Sequence, residues 1–297
     1  MTNETKITVT FIRHGESTDN LKSVWAGWKD APLSNHGMNQ ARAMGQAFSN
    51  THLTAIYASP LKRAFATAEA LRDAQPKPLA INESPLLREQ HFGIAEGKAW
   101  VLRMELGKTV EEYWANGEYP VLHKRHQRFP EGESRDELAE RADEAIRQIV
   151  LPEIWQAARS GAQGVHLALV SHGLCISELV PALVKKGQNG MPAESYEGLM
   201  NTAWTRVAVS VKGTTEGEPL QFADDAAPAL EVRVTDVNRH EHIDSIKRQK
   251  GGIGSAAHDP NQQDIRAFFG GGGMKKPVEA QEHSESNAGD EVGLSQE

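Results

Sequence analysis

Two hydrophobic periodicities take turns along this chain, and that alternation limits the fold more than any other feature. Residues 6–12 (KITVTFI) set Ile7, Val9 and Phe11 at every second position, the period of a strand. Residues 53–58 (LTAIYA) read as a second strand. The near-continuous apolar run 165–171 (VHLALVS) suits a strand buried on both faces. WTRVAVSVK (204–212) and LEVRVTDV (230–237) alternate and supply later strands. Between them, 36–50, 61–74, 97–116, 134–159 and 173–186 carry apolar residues at helical spacing. Strands separated by helices imply an α/β fold, here a three-layer α/β/α sandwich around a mainly parallel sheet.

No internal repeat is evident. The stretch 213–229, rich in Gly, Glu, Asp and Pro, reads as a loop joining two late strands. Residues 94–133 are expected to be a helical insertion over the strand edge, where a lid would select a ligand. The folded domain is expected to span 1–245. From 246 to 297 the chain is rich in Gly, Ser, Gln and Glu. Such a segment cannot bury enough apolar surface to offset its ordering entropy, so a flexible tail is expected, with one short apolar motif at 262–269.

The net charge of -8 argues against direct nucleic-acid binding as the main task. A single cysteine, Cys175, allows no intramolecular disulfide, so a reducing cytoplasmic or nuclear location is expected. The opening MTNETKITVTFI lacks the basic and long apolar regions of a secretory signal, and no run is long enough to span a bilayer.

Three of the expected strands run into unusual residues. The first enters Arg13-His14-Gly15-Glu16, the second Ser59-Pro60-Leu61-Lys62-Arg63, and the third His172-Gly173. In an open parallel sheet the strand C-termini share one edge, and ligands bind in the crevice there. Arg13, His14, Arg63 and His172 can therefore meet although scattered in sequence. Ser59 followed by Pro60 suggests a helix start that puts Arg63 in a first turn, where backbone N–H groups favour anions. Two arginines and two histidines make a cationic pocket whose matching ligand is a compact dianion such as phosphate. A neutral imidazole can attack phosphorus when positive charge spreads over the phosphate oxygens. The leaving alkoxide then needs an acid, and Glu89 in LLREQHFG is the best candidate, with Glu83 and Glu96 flanking it.

In order, RHGESTDN (13–20), AGWKDAPLS (26–34), ASPLKRAFATA (58–68), LREQHFG (87–93), FPEGES (129–134) and LVSHG (169–173) cover most of residues 6–186. This set resembles the histidine phosphatase superfamily, in the branch of phosphoglycerate mutase and fructose-2,6-bisphosphatase. The resemblance implies that His14 becomes a phosphohistidine, that Arg13, Arg63 and His172 complete the phosphate pocket, and that Glu89 is the proton donor. It also implies a phosphate contact for Asn20, and neither metal nor other cofactor. Gly173 stands where the phytase-like branch has its acidic Asp, which supports Glu89 as the acid and an intracellular enzyme.

The mutases of this family carry paired arginines followed by prolines in the insertion, and that run is missing here. The expected activity is hydrolysis of a small phosphorylated metabolite, with a sugar bisphosphate among the candidates; a cofactor-dependent phosphoglycerate mutase is the alternative. Lys124, Arg125, His126 and Arg128 form either a second anion site or a solvated basic loop. In the tail, Gln262, Ile265, Phe268 and Phe269 match the spacing of peptides that dock on the replication sliding clamp, which would make the chain an interaction protein as well. A short helix packed on the domain, or coincidence, accounts for the same residues.

Overall fold

The computed structural model describes residues 6–101, 103–188, 196–215 and 217–260. In chain order the main elements are β1 (Lys6–Arg13), α1 (Asn35–Ala47), β2 (Ala55–Ala58), α2 (Lys62–Asp73), β3 (Ile81–Glu83), β4 (Trp100–Val101), α3 (Val110–Ala115), β5 (Tyr119–Pro120), α4 (Arg135–Ala145), α5 (Leu151–Ser160), β6 (His166–Ser171), α6 (Gly173–Val184), β7 (Trp204–Val211) and β8 (Leu230–Arg239). Six strands form the central sheet in the order β3-β2-β6-β1-β7-β8. The first four are parallel; β7 and β8 are antiparallel additions beside β1.

Burial follows from this position in the sheet. All six residues of β6 are buried, as its unbroken apolar run requires. β7 alternates buried and half-buried residues, the pattern of a sheet with one covered face. Two cores lie on opposite faces. On one, Ile7, Val9, Phe11, Leu167 and Leu169 pack with α4, α5 and α6. On the other, Ile12, Ile56, Ala168 and Val170 pack against Met44 of α1 and Ala64, Ala68 and Leu71 of α2. The architecture is the expected α/β/α sandwich.

Three local expectations change. The region 134–159 is helical throughout, but a π-turn at Ile146–Val150 joins α4 to α5. The helix expected over 97–116 shrinks to the six residues of α3. Gly97, Gly107 and Gly117 all take positive φ (78°, 91° and 74°), which no right-handed helix accommodates. The helix starts only after Thr109, which forms a capping box with Glu112. The insertion is therefore mostly loop, with β4 and β5 paired in a short sheet and an aromatic cluster beneath it.

The third change is the domain boundary, which falls at His258 and not at 245. Residues 246–258 are held on the domain. Arg248 grips both carboxylate oxygens of Glu16, Asn35 N–H donates to Ala256 O at 2.9 Å, and His258 N–H donates to Leu33 O at 2.9 Å. The motif Gln262, Ile265, Phe268, Phe269 lies outside the described residues. No helix among the described residues is long and apolar enough to cross a membrane.

Candidate active site

β1, β2 and β6 end in line: Arg13 is paired with Ser171, and Ala58 with Val170. His14, Ser59 and His172 are the next residues, so three loops leave the sheet side by side. The rings of His14 and His172 stand 5.0 Å apart, centroid to centroid. Both are buried, as is Arg63 in the first turn of α2. Ser59 does not cap this helix; Leu61 is the N-cap, and the Ser59 hydroxyl lies 2.8 Å from Nε2 of His172.

The chain approaches itself closely around His14. A Cβ on Gly15 would lie 2.4 Å from Gly37 O, so only glycine lets this loop rest on the start of α1. Gly15 N–H donates to Thr67 Oγ1 at 3.1 Å, which ties the loop to α2 as well. His14 Nδ1 lies 2.6 Å from Gly15 O. A carbonyl oxygen only accepts, so Nδ1 carries the hydrogen and the Nε2 lone pair is free. Burial, then Arg63 and Arg13, hold His14 well below the ordinary histidine pKa; burial and Arg63 do the same for His172. Both rings are therefore neutral near pH 7.

The arginines stay cationic, although burial draws both below their usual pKa against the pull of Glu89. Arg63 spends two N–H donors on Lys29 O (2.9 Å) and Gly27 O (2.7 Å), which anchors the AGWKD segment. Arg13 donates to Leu199 O. Its Nε and Nδ1 of His172 are buried without a hydrogen-bond partner. An unsatisfied buried donor costs about 1–3 kcal/mol, and an oxyanion that reached both would remove that cost. Gly173 opens α6 beside them; a Cβ there would sit 3.6 Å from Arg13 Nε.

Glu89 belongs to the same site. Its Oε1 accepts from Cys175 N–H (3.0 Å) and Gln90 N–H (3.0 Å), and its Oε2 from Leu174 N–H (3.2 Å). It thus caps the N-terminus of α6, directly after His172. Arg141, which the sequence reading overlooked, fixes the backbone that carries it. Arg141 donates to Leu86 O, Arg88 O and Glu89 O, and pairs with Glu133 at 2.7 Å. Asn20 is exposed, and its Oδ1 accepts from Ser17 N–H and Oγ–H within a turn. It connects to the site through Asn201, whose Nδ2 lies 3.5 Å from that oxygen and 3.2 Å from His14 O.

The family model of the histidine phosphatase superfamily (branch 1) matches residues 9–216, a span that includes all of these side chains except Arg248. The chain belongs to that superfamily. Among its relatives, this histidine phosphatase is 30% identical over 217 residues to glucosyl-3-phosphoglycerate phosphatase of Mycolicibacterium vanbaalenii, covering 72% of this chain and 88% of the relative. It is 31% identical over 202 residues to "Probable phosphoglycerate mutase GpmB" of Serratia proteamaculans, covering 67% and 83%. The solved structure of a mycobacterial glucosyl-3-phosphoglycerate phosphatase superposes with a TM-score of 0.55 at 22% identity, covering 77% of this chain and 98% of that one.

The basic stretch of this histidine phosphatase divides once folded. Arg125 and Arg128 are engaged by protein carboxylates, Arg125 by Glu178 and Asp136 and Arg128 by Glu137. Their charge is thus matched within the protein. Lys124 has no carboxylate partner among the described residues.

Proposed function

We propose that this protein hydrolyses a small phosphorylated metabolite through a phosphohistidine on His14, without a metal. The observation that carries the reading is the fixed tautomer of His14, with its free Nε2 beside Arg13, Arg63 and His172. Nε2 attacks phosphorus, the ester P–O bond breaks, and a protonated Glu89 delivers its proton to the departing alkoxide. Glu89 then takes a proton from water, whose oxygen displaces His14 and releases phosphate. Oε2, which accepts one hydrogen bond where Oε1 accepts two, is the oxygen with room for that proton. The arginines and His172 offset the charge that develops on the equatorial oxygens.

The test is phosphate release from fructose 2,6-bisphosphate, fructose 1,6-bisphosphate, 2,3-bisphosphoglycerate, 3-phosphoglycerate and glucosyl-3-phosphoglycerate, with and without EDTA. Release that resists EDTA and is lost in His14→Ala supports the reading; release abolished by EDTA overturns it. Glu89→Gln should slow esters of poor leaving groups more than nitrophenyl phosphate, which needs little protonation. Equal slowing removes Glu89 from the acid role. The relative named as a mutase supports a second reading, and interconversion of 3- and 2-phosphoglycerate without free phosphate would favour it.

We also propose a sliding-clamp-type partner for the 262–269 peptide, on the spacing of Gln262, Ile265, Phe268 and Phe269. A synthetic 258–277 peptide should bind purified clamp and lose binding with Phe268→Ala and Phe269→Ala. No measurable binding refutes it.

A further inference from the structure

Gln90 and Leu174, whose backbone N–H groups hold the two oxygens of Glu89, also line a cavity of about 180 Å³ under the 94–133 insertion. Its apolar wall is made by Trp25, Phe92, Val121, Leu122, Phe129 and Leu174. The Trp25 ring packs 4.7 Å from Phe92 and 5.2 Å from Phe129, so this wall is a rigid aromatic surface. The charged groups at the cavity are almost all spent within the protein. Glu133 is paired with Arg141, Arg128 with Glu137, and Arg135 with Glu178 and Glu197. Lys124 alone among the lining charges lacks a carboxylate partner in the described residues. The cavity therefore combines an apolar surface with one unspent positive charge.

We propose that this cavity is the leaving-group subsite, and that it selects phosphomonoesters whose alcohol carries a ring-sized body with an apolar face and a carboxylate for Lys124. The inference rests on the phosphatase reading, because a proton donor must stand next to the leaving oxygen. Whatever is attached to that oxygen then extends past Glu89 along Gln90 and Leu174. An apolar cavity of about 150 Å³ holds a benzene ring, so this one is large enough for a single ring, and a three-carbon glycerate would leave most of the aromatic wall uncovered.

Ethyl, benzyl and 4-carboxybenzyl phosphate test this, because all three leave as alkoxides and differ mainly in the body of the alcohol. Wild type should favour benzyl over ethyl phosphate at least tenfold in kcat/KM. The carboxylate should add about two- to fivefold, the range of an exposed charge pair. Lys124→Gln should bring the ratio of the 4-carboxybenzyl to the benzyl rate down to about one. Val121→Phe, which fills the cavity, should erase the benzyl preference; a thermal melt checks that this variant is folded. Equal rates for ethyl and benzyl phosphate, or a carboxylate gain that survives Lys124→Gln, overturn the subsite while His14-dependent release upholds the phosphatase reading. If none of the three esters releases phosphate while the metabolite panel does, the subsite falls and the phosphatase reading stands; silence on both removes both.

Discussion

Acidification from pH 7.5 to 5.5 should remove about 1.4 kcal/mol of stability through the buried His166, with His14 and His172 acting in the same direction. His14 and His172 are held well below the ordinary histidine pKa by burial and by Arg63. His166 is held down to about 4, by burial first and then by Arg206 and His52. In the unfolded chain each titrates near 6.5, so below that pH the unfolded state binds protons that the folded state refuses. Stability is then present in full above 6.5 and falls with pH toward each folded value. Between pH 7.5 and 5.5 His166 contributes about 1.4 kcal/mol to that loss, and His14 and His172 add to it. Against a typical total of about 5–15 kcal/mol, the His166 share alone is measurable. Glu16 titrates outside this window: burial pushes its carboxyl upward, but Arg248 and Ser34 prevail and hold it below 4.5. Urea unfolding at the two pH values measures the difference directly. His166→Gln, which lies away from the site, should reduce the pH difference by about 1.4 kcal/mol. Unfolding free energies within about 1 kcal/mol of each other at the two pH values would refute the reasoning, as would a His166→Gln variant with an unchanged pH difference.

Arg141→Ala should cost about 1–3 kcal/mol, because it strands the partly buried Glu133 carboxylate, and kcat should fall more than KM changes as the Glu89 backbone loosens. Gly15→Ala forces a Cβ to within 2.4 Å of Gly37 O. It should cost about 1–3 kcal/mol in urea unfolding and, by displacing His14, on the order of a hundredfold in kcat/KM. Arg248→Gln should cost no more than about 1 kcal/mol, since its ion pair with Glu16 is partly exposed, and the difference from wild type should shrink in 1 M salt.

What could be read from the sequence was set by the range of the interaction responsible. β6 announces itself because a strand covered on both faces must be apolar at every position. Arg13, His14, Arg63 and His172 could be assembled in advance because parallel strands end on one edge, whatever their separation along the chain. β3 escaped notice because its three residues, Ile81-Asn82-Glu83, offer one apolar side chain and no period. The local neighbours of Ser59 suggest a helix cap, yet its hydroxyl also reaches His172, 113 positions away. Nothing local to Arg141 points to the carbonyls of Leu86, Arg88 and Glu89, more than fifty residues earlier. The boundary lies at His258 and not at 245 for a related reason. Composition measures the capacity to bury apolar surface, whereas 246–258 is held by backbone hydrogen bonds and one ion pair.

β1 lies inside the sheet, between β6 and β7, with Thr8 paired to His166 on one side and to Ala208 on the other. On a ribosome adding about 5–20 residues per second, its first neighbour follows roughly 8–30 s later and the second later still. Throughout that interval KITVTFI is an extended apolar segment with both hydrogen-bonding edges bare, a natural target for a chaperone that grips such chains and a seed for misassembly if none arrives. The strand that leads into His14 is thus made first and enclosed late, and a synonymous change that slows translation between residues 13 and 166 should reduce soluble yield without altering a single contact in the finished protein.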